Sequence, residues 1–588
     1  MRINIVFLVL FFSSTLFAQK VGDWRLHFRY ENSIDLAVTP SKVYSATDKA
    51  LLVYDKQDGS LRTMDKANAL SDIGIAGIDY APVSDAVIVV YNSSNIDLIK
   101  GNTVINLPDI KNKQTAGSKT IHEVYVDSAF AYLSTDLGIV VIDLDNEEID
   151  NTYVIGSAGN PTPVYDCTIV GDSIFAVTLQ GLKKSNLDNE NLLDFENWTH
   201  IPTQSFDFIE TFDDTLYAAK DSTVWQYNDG IWGNIYAEDS TEIQSLTASD
   251  LLTFTTYALD TSNNVVNWTS LEKNGGEWDT IYTEGSLRPT IVWKEGGVYF
   301  VADYARGLQR FENQNRDWLL PSGFPFGNTS YRMSSYGDRV FVSAGLYDNG
   351  LNPQYNSNGM YYFQNNAWAN VNVFLTEGLF NVTDMSFLEY NPTDGNLYIG
   401  SADGLVKYNF ETAEVYDFSN SILDTITQGF SNDRTLIMGV DVDAQGNVWM
   451  VNSQAPDPLA VKTINDEWYK FDLVGDIKKY NNLFIDSYGQ KWVTLAGEGV
   501  FVYDEGDILE SAADDQVVQL AGGSIHNRNV HAIVEDREGE IWIGTDEGIA
   551  VFDCPRDVMD FSSGCAASRQ IKSTLDIYTE YLFETDIV

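Results

Sequence analysis

The chain has 588 residues, with 85 acidic against 36 basic side chains and a formal net charge of −49. Such an excess argues against a nucleic-acid binder, because phosphate is repelled over most of the surface, and disfavours charge-driven attachment to an anionic membrane. Hydrophobic residues make up 44% and aromatic residues 13%, which is ample for a core and excludes a disordered chain, and the length exceeds one ordinary domain.

Residues 1–18 read as a secretory signal peptide. Met1-Arg2 is basic, residues 3–12 are apolar apart from Asn4, and cleavage after Ala18 leaves Gln19 first. The apolar stretch is too short to span a bilayer permanently. The first cysteine is Cys167, so no lipid anchor is expected. Gly22-Asp23-Trp24 follows at once.

From there one unit recurs. Its clearest copy, residues 530–552, reads VHAIVEDREGEIWIGTDEGIAVF: an apolar strand, an acidic glycine-containing turn, an aromatic strand, a second turn with Gly548, and a third strand. Residues 385–408, 440–451 and 482–503 repeat it, and residues 121–142, 165–183, 206–227 and 290–311 carry more worn copies. A fourth strand recurs with Trp198, Trp232, Trp278, Trp318, Trp368 and Trp468. Units of roughly 40–50 residues with period-2 patterning and four strands predict propeller blades rather than a helical solenoid. The sequence holds about eleven or twelve such units, and a single closed propeller rarely exceeds about eight blades. The expected fold is therefore all-β: two tandem propellers of four-stranded blades, with very little helix.

Residues 313–329, with Pro321, Gly323 and Pro325, interrupt the rhythm. The expected domains are a first propeller over 19–325 and a second over 326–588. Residues 581–588 enter another inner strand and stop, so the second ring is expected to be incomplete. The N-terminal strand can complete either ring, and the pattern leaves both open. Trp449, Trp492 and Trp542 should occupy equivalent, largely buried places in successive blades.

No constellation points to catalysis, so no catalytic residue, cofactor-binding residue or metal ligand is assigned. The run Asp441-Val442-Asp443-Ala444-Gln445-Gly446 opens like a calcium loop. Its fifth and twelfth positions are Gln445 and Asn452, where such a loop needs ligands including a bidentate Glu. It reads first as a hairpin turn, with calcium as the lesser alternative. His27, His122, His200, His526 and His531 show no metal-ligand spacing and read as solvated loop residues. Cys554 and Cys565 bracket a loop with Pro555 and Gly564. In an exported protein they are a candidate disulfide, the alternative being two free thiols. Cys167 lies in an apolar strand and reads as a packing residue.

Residues 530–552 resemble the two-component-regulator propeller repeat at Asp536, Gly539, Trp542, Gly544, Thr545 and Gly548. In residues 482–503 Gly489 and Trp492 persist, while Leu495 replaces the threonine. From residue 19 onward the chain resembles the PorZ-type components of type IX secretion. The resemblance rests on the signal peptide followed by Gly22-Asp23-Trp24, on two consecutive propellers, and on the Cys554-Pro555…Cys565 loop running into Tyr581-Leu582-Phe583.

That resemblance implies two seven-bladed propellers and then a β-sandwich export domain. This sequence lacks the export domain and about two final blades, as a truncated chain would. It also implies a place on the outer face of the outer membrane, with the sortase PorU, PorV and PorQ as partners. The implied role is to bind anionic lipopolysaccharide and pass it to PorU for attachment to cargo. It brings no catalytic residues. Two other readings stand beside it: the extracellular sensor propeller of a hybrid two-component receptor, and a polysaccharide-processing propeller enzyme. An anionic ligand on so acidic a chain needs a local Lys/Arg patch or a bridging divalent cation, and Lys478, Lys479 and Arg528 lie in loops entering blades.

Overall fold

The computed structural model describes residues 24–581 apart from 116, 189–190, 204, 261–264, 283–287, 313–314, 346, 427–433, 474–477, 507–508, 511–512, 522–524, 526, 561–563, 570 and 575–578. The expected signal peptide, Gly22-Asp23, His526 and residues 582–588 lie outside the described residues.

Among the described residues the chain forms twelve four-stranded antiparallel sheets, each from four consecutive strands, and one two-stranded hairpin. Among the described residues helix is confined to Asp109–Asn112 and three single 3-10 turns. The reason is local. Valine, isoleucine and aromatic residues alternate over runs of about five, and tight turns follow each run. In several blades the third strand opens on a glycine with positive φ. At Gly499 φ is 101°, and a Cβ would sit 2.2 Å from the carbonyl oxygen of Leu520. Only glycine admits the fourth strand so close. The tryptophan expected in fourth strands lies in Ile231–Ala237, Glu277–Tyr282, Asn315–Trp318, Ala367–Val371 and Trp468–Phe471, and Trp198 directly precedes Thr199–Ile201.

The chain divides into two compact units, residues 1–321 and 322–588. In the first, blades 1 to 7 have innermost strands Asp35–Val38, Ile75–Ala81, Ile121–Asp127, Val164–Val170, Phe208–Phe212, Thr241–Ala248 and Pro289–Glu295. These strands lie side by side all the way round, and blade 7 meets blade 1. The Ser33 amide donates to the carbonyl of Asp303 (3.3 Å), and the Thr290 hydroxyl donates to the carbonyl of Ser33 (3.3 Å). Asp35–Val38 pairs with the next strand, Lys42–Ala46, within blade 1.

Blades 8 to 12 begin at Arg332, Phe387, Ile437, Tyr480 and Val530, and the hairpin of Ile571–Thr574 and Thr579–Tyr581 follows. Residues just after the division belong to blade 8. Its outermost strand donates from Trp368 N to the carbonyl of Gly323 (3.0 Å), and the Asn370 side chain bonds Phe326 N (2.8 Å) and the carbonyl of Phe324 (3.1 Å).

The core is the set of layers between blade faces. Val448 and Met450 face blade 9, packing with Phe387 and Tyr398, while Trp449 faces blade 11 with Tyr480 and Leu483. Trp492 repeats this toward blade 12, against Ile541, Ile543 and Phe552. Both indoles are fully buried. Trp542 holds the equivalent place and is less completely covered than the other two. Ile541 and Ile543 face the preceding blade, so the period of 2 turns Trp542 to the other face of blade 12.

Candidate functional site

An innermost strand has one edge in its sheet and one toward the ring axis, which leaves backbone amides without sheet partners. In the first ring, carboxylates take them. Asp35 accepts from Leu36 N (2.7 Å) and, across the blade boundary, from Ile78 N (2.8 Å). Asp79 accepts from Tyr80 N (2.7 Å) and also holds the backbone of Val126 in blade 3. Glu123 accepts from Val124 N (3.1 Å). Asp166 accepts from Ile209 N in blade 5 (2.7 Å). Glu210 accepts from Thr211 N (2.8 Å) and holds the backbone of Ala248 in blade 6.

These five converge. Crowding by the ring raises all five, Asp35 to about 7 and Asp79 and Glu210 to about 8; only Asp166 is buried from solvent, Asp35, Asp79 and Glu210 are half-buried, and Glu123 is exposed, so its rise is the least secured by its surroundings. Mutual repulsion adds to this crowding: Asp35 and Glu210 act on Asp79, Asp35 and Asp79 on Glu123, and Glu123 on both Asp166 and Glu210. The second unit repeats the device in part. Asp441 accepts from Val442 N (2.8 Å) and Ile485 N (2.7 Å), and burial raises it to about 6. Glu389 is raised to about 7 by burial and by Asp441. The sequence carries a sign of this set, a lone acid inside each of these inner strands (IDL, IDY, HEV, YDC, IET).

The segment that opens like a calcium loop is a hairpin turn, and its two aspartates part company. Asp441 lies in the inner strand, whereas Asp443 organises the turn. Its Oδ1 accepts from Gln445 N (3.0 Å) and Asn447 N (2.8 Å), and its Oδ2 accepts from the Asn447 amide (2.9 Å) and Trp449 Nε1 (3.0 Å). Asp486 does the same for Tyr488 N, Gln490 N and Trp492 Nε1, and Asp536 for Glu538 N, Glu540 N and Trp542 Nε1. The recurrent spacing of acid and tryptophan is thus a folding device. Among the described residues no three His, Cys, Asp or Glu side chains assemble into a group able to hold a metal.

Three of the described histidines are held by hydrogen bonds. His122 and His531 lie on innermost strands rather than in loops, and face the hairpin acids Asp136 (2.8 Å) and Asp546 (2.5 Å). His200 bonds the carbonyl of Gln180 (2.7 Å). Burial lowers the proton affinity of His27. Cys554 and Cys565 are joined as a disulfide, and Cys167 is a free, buried thiol.

Of the basic residues singled out in the sequence, Lys478 pairs with Glu498 (3.1 Å) and Lys479 donates to the carbonyl of Gly350 (2.7 Å), while Arg528 is exposed. A denser basic group lies on the loops that follow the outermost strands of blades 1 and 2. Lys111 (2.6 Å) and Lys66 (3.3 Å) both reach Asp72, Lys119 donates to the carbonyls of Lys111 (2.6 Å) and Lys113 (3.0 Å), and Lys113 is exposed. Burial opposes the charge of Asp72, but Lys111, Ser93 and Lys66 outweigh it and hold the carboxyl well below its usual range.

Residues 43–199 match the family model of the type IX secretion PorZ N-terminal β-propeller domain, and residues 524–547 match the two-component-regulator propeller. Among solved structures the chain is similar to PorZ of Porphyromonas gingivalis, described as an essential bacterial surface component of the type IX secretion system. The two are 19% identical, the match covers 96% of this chain and 77% of that chain, and the TM-score is 0.75. The extracellular domain of a hybrid two-component system from B. thetaiotaomicron is 14% identical over 95% of this chain and 78% of its own, with a TM-score of 0.32. That of a one-component system from the same organism is 14% identical over 82% and 64%, at 0.33. Scores this low carry no argument. No curated protein matches the chain. The chain resembles PorZ in fold, as two tandem propellers.

Proposed function

We propose that the chain is a non-enzymatic accessory of type IX secretion, exported by residues 1–18 and held on the outer face of the outer membrane. There it binds anionic lipopolysaccharide and delivers it to the sortase PorU, with PorV and PorQ as further partners. One coincidence carries this reading. The family match on residues 43–199 falls on blades 1 to 4, and the PorZ-like fold extends over nearly the whole chain.

The basic loops of Lys66, Lys111, Lys113 and Lys119 offer a local attraction that the net charge of −49 does not. The sensor alternative rests on one propeller repeat, and the Asp536–Trp542 hydrogen bond explains that repeat as a folding device. The enzyme alternative has its acids in the first ring already committed to backbone amides.

The test is affinity capture from outer membranes of a bacterium with type IX secretion, using the tagged whole chain. The reading expects PorU, PorV and PorQ to co-purify at levels far above those seen with an unrelated propeller. Their absence, with the bait intact at the surface, overturns it.

A further inference from the structure

We propose that Arg288 and Arg306, stacked on aromatic rings of blades 6 and 7, form the surface that grips the charged sugars of an anionic polysaccharide. The choice of ligand rests on the proposed function, and the site itself rests on geometry. The Arg288 guanidinium lies over the ring of Tyr304 (4.4 Å) and over that of Trp268 (5.4 Å), and the Arg306 guanidinium lies over Trp318 (5.1 Å). Both arginines, Tyr304 and Trp318 are exposed, and Trp268 is half-buried.

Among the described residues neither guanidinium forms an ion pair, although the chain carries 85 acidic side chains. The acids of this neighbourhood are committed elsewhere. Glu31 accepts from Arg29 Nε (2.7 Å), and Glu242 accepts from the Tyr257 hydroxyl. Asp303 is fully buried and accepts from Ala305 N (2.8 Å), Arg306 N (3.0 Å) and Arg288 N (3.2 Å). The Tyr304 amide in turn donates to the carbonyl of Arg288 (2.8 Å). One buried carboxylate thus fixes both segments that carry the arginines, so the surface is organised before any ligand arrives.

A guanidinium lying on a ring engages its flat face and keeps its edge. The N–H groups of that edge donate as a fork to a phosphate or carboxylate, which an ammonium cannot do. Exposed rings beside them bury the C–H face of a sugar. The pairing suits a charged sugar better than an inorganic anion, which needs no ring, or a neutral glycan, which needs no arginine.

These groups share the face on which the innermost strands begin. Arg288 directly precedes Pro289–Glu295, Tyr304 and Arg306 lie in the turn between Val298–Asp303 and Gly307–Glu312, and Trp318 ends the outermost strand Asn315–Trp318. Lys66 and Lys111 follow the outermost strands of blades 1 and 2, which end on the same face. Blade 7 adjoins blade 1, so a polysaccharide drawn in by the lysines meets the stacked arginines next. The lysines supply attraction and the arginines supply recognition.

Equilibrium binding of the purified whole chain to anionic lipopolysaccharide, and to lipopolysaccharide lacking the anionic polysaccharide, tests the site. Arg288→Gln/Arg306→Gln removes two charge-assisted forks and should weaken binding to the first about tenfold or more, with no change toward the second. Arg288→Lys/Arg306→Lys keeps the charge but not the flat fork, and should stay about threefold or more weaker than the unsubstituted chain. Circular dichroism and melting curves establish that the variants are folded, which the exposure of both side chains favours. Three results overturn the site and leave the proposed function standing: binding that the glutamine pair does not change, an equal loss toward both lipopolysaccharides, or full binding by the lysine pair. Absence of binding by the unsubstituted chain overturns both.

Discussion

Trp492 donates its indole N–H to Asp486 Oδ2 at 2.9 Å, with both side chains nearly or wholly buried between blades 11 and 12. The turn of one hairpin and the core between two blades are therefore fastened by one hydrogen bond. Trp492→Ala empties a large buried site and removes the indole donor from Asp486 Oδ2, so it should cost on the order of 3–5 kcal/mol. Denaturant unfolding of the second propeller measures it, and a cost under about 1 kcal/mol contradicts the assigned register.

Trp542→Ala should cost less, about 1–2 kcal/mol, because the indole is partly exposed and less apolar surface returns to water. Equal costs at the two positions would mean that Trp542 is covered as fully as Trp492.

Asp443→Ala leaves two turn amides and the Trp449 indole without an acceptor and should destabilise by about 1–3 kcal/mol. The same experiment separates the turn from a calcium loop. Chelator should not move the melting temperature of the unsubstituted chain, whereas a drop on chelation restored by calcium would reinstate the metal.

These residues also mark how far the sequence could be read. The blades were legible because each needs the same few signals, a turn acid, a glycine and an aromatic strand, within about 25 residues. The half-burial of Trp542 was not legible, since it depends on what covers the far face of a sheet and not on the sheet itself. Asp35, Asp79, Glu123, Asp166 and Glu210 each show as a lone acid within an inner strand, but among 85 acids nothing in the sequence joins them. They acquire a common environment only when blade 7 meets blade 1. The charge of Lys478 and Lys479 was visible, but not its engagement by Glu498 and the carbonyl of Gly350.

The basic loops make their own prediction. Reversing charge in Lys111→Glu/Lys113→Glu should weaken binding of anionic lipopolysaccharide at least tenfold, a loss of about 1.4 kcal/mol. Thermal stability should drop as well, because Lys113 is exposed but Lys111 is the ion-pair partner of the buried Asp72, so binding is compared at a temperature where the variant is folded. Unchanged affinity in a folded variant would move the ligand to another surface.

The most direct measurement is equilibrium binding of the purified whole chain to anionic lipopolysaccharide, set against lipopolysaccharide lacking the anionic polysaccharide. The account predicts selective binding that strengthens as salt is lowered and persists in chelator, because a cluster of lysines rather than a bridging cation overcomes the −49 background. Absence of binding, or equal binding to both forms, would contradict the proposed function.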